Sequence, residues 1–439
     1  MLDTQINLNE LEDQHSSGAY LKRDIQIVRG EGARLFDDAG RSYIDLVGGQ
    51  GSANLGHAHP AIVEAISQQA RELITCPELF HNPVRARYQA ELCRVSGFPR
   101  VFLANSGAEA NEGALKIARL KTGRRGVIAT MRGFHGRTMG ALSATWEKTY
   151  REPFLPLIDG VVHVPYNNID KLRDALNENI GAVFLEVVQG EGGVHPAQAG
   201  YLRAVQELAR ANGSLLIIDE VQTGWGRTGS LFAHWQDGIQ PDIVTVAKSM
   251  AGGVPMGAIL LGETIGALDP ATHGSTFGGN PLACAAGLAA IAVYSQQSIV
   301  DSQNPNASTA VPLSPQAEGA NNPHPLTPSP LHGEGEQYIH READGWLIRR
   351  ARRLGDEVRM HLMDNVPEKA AREVRGRGFM FGIELRGKVA PVLKMLQERG
   401  VVALPAGASV LRLLPPLMIT DDDLWQAVHI IEETLNDAF

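Results

Sequence analysis

The chain has 439 residues, 44% of them hydrophobic and 20% charged, with 47 glycines and a formal charge of -9. That composition excludes a wholly disordered chain, and a prior of about 150 residues per domain allows two or three domains. The acidic balance argues against nucleic acid or an anionic membrane as partner, because both attract a basic surface. Cys76, Cys93 and Cys284 form no C-x-x-C pair, so neither a disulfide framework nor a zinc knuckle is expected, and a reducing, cytoplasmic setting fits.

The first fifteen residues carry Asp3, Glu10, Glu12 and Asp13 without the basic and apolar regions of a secretion signal. His57-Ala58-His59 reads as a turn, since no H-E-x-x-H or cysteine partner accompanies it. Short apolar runs then alternate with helical patterns. Val101 to Ala104, Val127 to Thr130, Ala182 to Leu185, Leu215 to Ile218 and Ile243 to Ala247 read as buried parallel strands. Glu109 to Leu120 and Tyr201 to Ala211 read as helices between them, which predicts a doubly wound α/β domain with both faces covered. Gly224 to Gly229 satisfies G-x-G-x-x-G, but it opens no clear helix, so a dinucleotide site is not expected.

Asn280-Pro281 predicts the N-cap and first position of a helix running toward Tyr294, a run too short to span a bilayer. Ser302 to Gln337 holds seven of the 24 prolines and no aromatic residue, the composition of a disordered insert. Beyond it, Leu347, Ala351, Leu354, Val358 and Leu362 recur at helical spacing. The expected organisation is an N-terminal segment over 1–55, a large domain over 56–301, the insert over 302–337 and a small α+β domain over 338–439.

Ligands of such sheets bind beyond the carboxyl ends of the strands, so chemistry is sought in the residues that follow each run. Ser106 with Glu109 predicts a capping box, and Gly107 lets the backbone approach a phosphate at the helix start. Asp219 ends a buried run and needs a cation or several hydrogen bonds. Lys248 also follows a strand and precedes Gly252-Gly253; desolvated there, it would have a lowered pKa. Lysine, carboxylate and phosphate cradle on one edge are what pyridoxal phosphate requires.

The segments NSGAEANEGALKIAR, GFHGRT, IDEVQTGWGRTG, TVAKSMAGGVPMGA and HGSTFGGNPLACAAG resemble the class III aminotransferases of fold type I. GARLFDDAGRSYIDLVGG and LRLLPPL are most similar to the acetylornithine aminotransferases, including the branch that uses carrier-protein-linked lysine. The resemblance implies a mostly parallel sheet and pyridoxal 5'-phosphate as cofactor. It makes Lys248 the Schiff-base lysine, pairs Asp219 with the ring nitrogen and sets Gln222 on the phenolic oxygen. It stacks Phe134 on the ring and assigns Ser106, Gly107 and Ala108 to the phosphate. Thr276 would reach the phosphate of a neighbouring subunit, which implies a homodimer with shared sites. Arg137 would bind the distal carboxylate of a protected diamine, and Arg412 would bind the α-carboxylate of glutamate or pair with Glu191. The implied reaction moves the terminal amine of N-acetylornithine or a carrier-linked diamino acid to 2-oxoglutarate, in arginine or lysine biosynthesis. Free ornithine or 4-aminobutyrate as donor, or an aminomutase, are the alternatives. Val187, Ala108 and Ala251 depart from the family's usual residues without removing a reacting group.

Overall fold

The computed structural model describes residues 7–296 and 344–439, so the proline-rich stretch Ser302 to Gln337 lies outside the described residues. Strands β1 (Ile27–Glu31), β2 (Arg34–Asp37) and β3 (Ser42–Asp45) form a small N-terminal meander. The central sheet is built from β4 (Arg100–Ala104), β5 (Gly126–Thr130), β6 (Val161–Val164), β7 (Ile180–Glu186), β10 (Leu215–Asp219), β11 (Ile243–Val246) and β12 (Gly257–Leu261). A two-stranded hairpin of β8 (Val188–Gln189) and β9 (His195–Pro196) follows β7.

The order across the central sheet is β4-β12-β11-β10-β7-β5-β6. Six strands run one way, and β12 runs antiparallel to both β11 and β4. The five parallel runs read from sequence are present, but β12 and β6 were not among them. β12 starts at the rim where the others end, directly after the turn that carries Gly252 and Gly253, so a short return fixes its direction. Alternate residues divide between two cores. Val127, Ala129, Phe184, Ile217, Ile243 and Ile259 pack with the helix Gly107–Thr122 on one face. Ile128, Val183, Leu185, Leu216, Val244 and Leu260 face the second core, as the two-residue strand period demands.

Asn280 caps the helix Pro281–Tyr294 by accepting from the Ala283 N–H at 2.8 Å. Farther along the chain, the helix Trp346–Asn365 packs on a sheet of order β13-β14-β17-β16, with β13 (Ala371–Arg377), β14 (Met380–Leu385), β16 (Leu404–Ala406) and β17 (Val410–Leu413). β15 (Val401–Val402) leaves that sheet and pairs parallel with β3 of the N-terminal meander. Arg227 joins stretches of the chain that are far apart in sequence. Fully buried, it donates to the carbonyls of Phe379 and Pro415, at 2.8 and 2.5 Å, and to the Asn54 side chain.

Candidate active site

One rim of the central sheet gathers the strand ends, since register sets Asp219 beside both Glu186 and Thr245 and pairs Ala104 with Gly257. At the β4 end, Ser106 caps the following helix and accepts from the Glu109 N–H at 3.2 Å. The reciprocal half of the expected capping box falls one residue earlier. Glu109 Oε2 accepts from the backbone and side chain of Asn105, at 3.0 and 2.8 Å, rather than from Ser106. The N–H groups of Gly107 and Ala108 take no acceptor among the described residues, the arrangement that favours an anion at a helix start. Gly107 is glycine for a packing reason as well: a Cβ there would stand 2.7 Å from a Val221 methyl. Thr276 is exposed beside Ser275, which accepts from Asn105 at 3.1 Å.

Asp219 is 3% exposed, and both of its oxygens accept hydrogen bonds. One carboxylate oxygen takes the Val221 N–H at 2.9 Å; the other takes Asn111 at 2.9 Å and His135 Nδ1 at 2.8 Å. His135 in turn lies stacked on Phe184, ring centroids 3.9 Å apart. Sequence reasoning asked for such partners and did not find them, although both stand inside motifs it singled out. Nothing local shows that the His135 ring turns inward while Phe134 beside it is only half-buried. Glu186, across the strand pair, accepts from the N–H groups of Phe134 and Gly190 at 3.0 and 3.2 Å. Burial pushes its carboxyl up to about 7, with His135 opposing and the Asp219 charge adding to the rise.

Lys248 opens a short 3-10 turn with φ +49°, a left-handed conformation that a lysine adopts only where its surroundings enforce it. The following residue is held at two points. The next residue, Ser249, donates to the Gly51 carbonyl at 2.8 Å, and its own carbonyl accepts from Tyr294 at 3.2 Å. Burial lowers the Lys248 pKa; Glu191 opposes this and Arg412 adds to it. An amine with a depressed pKa is a nucleophile and a proton carrier near neutrality.

Arg412 lies on β17, an inner strand flanked by β14 and β16, and is 2% exposed. Its Nη1 donates to Glu191 at 2.6 Å and to Gln222 Oε1 at 3.3 Å. Burial raises the Glu191 pKa, but the charge and hydrogen bond of Arg412 outweigh it and the net shift is downward. Glu191 rides on the tight β8–β9 loop, which leaves no room for a Cβ at Gly190, beside Gln222. Its side chain keeps about a third of its surface in solvent, so this half of the pair can leave while the arginine cannot. Phe134 and the exposed Arg137 stand on the loop after β5.

Pyridoxal phosphate fits this rim on three counts: free N–H groups at a helix start, a buried and fixed carboxylate, and a desolvated lysine. The class-III aminotransferase family model matches residues 17–313 and 337–435, and the chain belongs to that family. It is thus an aminotransferase of fold type I that uses pyridoxal phosphate as cofactor. It is 39% identical over 429 residues to the acetylornithine aminotransferase of Methanothermobacter thermautotrophicus, covering 98% of each chain. It is 40% identical over 433 residues to the [LysW]-aminoadipate semialdehyde transaminase of Deinococcus radiodurans, covering 97% of this chain and 90% of that one. Among solved structures, the ornithine aminotransferase of Toxoplasma gondii is similar at TM-score 0.83 and 32% identity, covering 98% of this chain and 93% of that one. The N-acetylornithine aminotransferase of Stenotrophomonas maltophilia is similar at TM-score 0.74 and 30% identity, covering 98% of both.

Proposed function

We propose that the chain moves the terminal amino group of an α-N-protected diamino acid, N-acetylornithine or a carrier-linked lysine or ornithine, to 2-oxoglutarate. The products are the semialdehyde and glutamate, and the reaction belongs to arginine or lysine biosynthesis. The Glu191–Arg412 pair carries this reading: a buried guanidinium under a removable carboxylate suits a site that alternates between a donor without an adjacent carboxylate and one with it.

Pyridoxal phosphate, when bound, supplies a carbonyl that takes up the amine and a pyridinium ring that withdraws electrons. Lys248 would hold it covalently and carry the proton between substrate carbon and cofactor. Asp219 would keep the ring nitrogen protonated, with His135 and Asn111 fixing its carboxylate so that little reorganisation is needed as charge develops. Ser106, Gly107 and Ala108 would bind the phosphate, Gln222 the phenolic oxygen, and Phe134 would cover one ring face. When the terminal amine of the diamino acid reacts, Glu191 neutralises Arg412 and Arg137 takes the far carboxylate. When glutamate or 2-oxoglutarate enters, its α-carboxylate displaces Glu191 from Arg412.

We also infer a homodimer in which Thr276 reaches the partner's phosphate. Leu79, Phe80 and Phe277 are 84%, 60% and 60% exposed, apolar side chains that a second subunit would cover. Free Cys76, Cys93 and Cys284 are consistent with a cytoplasmic enzyme, and no helix among the described residues is long and apolar enough to cross a membrane. Initial rates with N-acetylornithine, carrier-linked lysine and free ornithine, each with 2-oxoglutarate, test the substrate. A kcat/KM for free ornithine above those of both protected donors would overturn the proposal.

A further inference from the structure

Arg137 is a cation of the rim that aromatic rings hold and no acid among the described residues does. Its guanidinium carbon lies 3.4 Å from the centroid of the Tyr150 ring and 5.7 Å from that of Phe134. The two rings meet edge to face, 6.3 Å apart at 86°, so the guanidinium sits in an aromatic corner. Its N–H groups take no acceptor among the described residues. The corner is pinned from behind. The Trp146 N–H donates to the Gly133 carbonyl at 2.9 Å, and Glu147 caps the turn Lys148–Arg151 through the Thr149 N–H at 3.1 Å. Tyr150 is half-buried, and its hydroxyl takes no partner among the described residues.

A guanidinium held by an acid spends its donors and its charge on that acid. One held on a ring face keeps both for an incoming anion, and the stack restricts the long side chain before the ligand arrives. The geometry points to Tyr150 as a positioning residue that presets Arg137 for the far carboxylate of the substrate, through its ring face and not its hydroxyl. This inference rests on the proposed role of Arg137 and extends it: specificity for a carboxylated diamine begins in the segment Trp146 to Arg151, which makes no covalent or acid–base contribution.

The test compares two donors that differ only in that carboxylate, N-acetylornithine and N-acetyl-1,4-diaminobutane, with 2-oxoglutarate saturating. Tyr150→Leu should raise KM for N-acetylornithine about 3- to 30-fold, the span of a cation–π contact from exposed to desolvated, with kcat nearly unchanged. It should leave the kinetics of the carboxylate-free donor where they were. Tyr150→Phe should match the unsubstituted enzyme with both donors. A series of increasingly fluorinated phenylalanines at position 150 drains the ring face of negative charge at nearly constant volume. KM for N-acetylornithine should climb with each fluorine, which a purely packing role would not produce.

Equal KM increases toward both donors in Tyr150→Leu, or a flat fluorine series, overturn the proposal. The Arg137→Ala variant separates the two levels of the argument. If it loses no preference for the carboxylated donor, the assigned role of Arg137 has failed. If it loses that preference while Tyr150→Leu keeps it, only the positioning role has failed.

Discussion

Arg227 and Arg412 are both almost completely buried, and they are buried in opposite ways. Arg227 is surrounded by two backbone carbonyls and an amide oxygen from parts of the chain far apart in sequence, none of which can leave. Burial lowers its pKa to about 10, still far above neutrality, so it remains a cation. Arg412 faces one carboxylate on a loop that keeps contact with water, and one amide at the margin of hydrogen-bond distance. The first arrangement has no partner that can exchange, and it ties Asn54, Phe379 and Pro415 to the loop that carries Arg227. The second has a partner that the proposed mechanism exchanges, since an incoming carboxylate can offer the guanidinium the same charge-assisted bonds that Glu191 does. Burial of a charge alone therefore does not mark a functional site; in the proposed mechanism the distinguishing feature is the solvent access of its counter-group.

That contrast is most sharply broken by substitution of each arginine with methionine, which keeps bulk and removes donors. Arg227→Met should cost roughly 3–5 kcal/mol of stability, because it strands three buried acceptors at once, measured by the urea midpoint of unfolding. A loss under about 1 kcal/mol would show that water replaces the clamp. Arg412→Met should cost little stability, since Glu191 turns to solvent, but should reduce kcat/KM in the glutamate half-reaction by about 1.5–3 kcal/mol. The half-reaction with the protected diamine should change much less. An equal loss in both halves would end the description of Arg412 as the receptor of an exchanging carboxylate.

Glu191→Ala sharpens the same point with a smaller effect and the opposite sign. Removing the cover should raise kcat/KM for glutamate relative to the protected diamine, and no change in that ratio would mean that the ion pair is only structural. The smallest effect concerns Glu186, whose carboxyl is raised to about 7 in the folded chain from an ordinary 4.5. The folded state binds this proton more tightly than the unfolded chain, so its contribution to stability is full below pH about 4.5 and is lost as pH rises toward about 7. Glu186→Gln should flatten that part of the stability profile, and an unchanged slope would place the titration elsewhere.

Some of this was legible in the sequence because it is local. Strand runs, the Asn280 cap and the helix spacing after the insert are patterns within a dozen residues, and a hydrogen-bond period or a cap acts over the same distance. Asp219 and Lys248 were legible for a related reason: each ends an apolar run, and a charge at the end of a buried strand sits at the sheet's rim. What the tertiary structure alone decided are the contacts that no period encodes. His135 meets Asp219 from 84 residues away, Arg412 meets Glu191 across 221, and Arg227 reaches Pro415 across 188. The reversal of β12, the placement of β15 beside β3, and the turn of Tyr150 beneath Arg137 belong with them. Sequence by itself determined which residues stand at strand ends and which functional groups they bring there. Which side chains turn toward one another, and whether a buried charge is locked or free to exchange, depended on how separate segments pack, because side-chain direction and desolvation are set by neighbours that are close only in space.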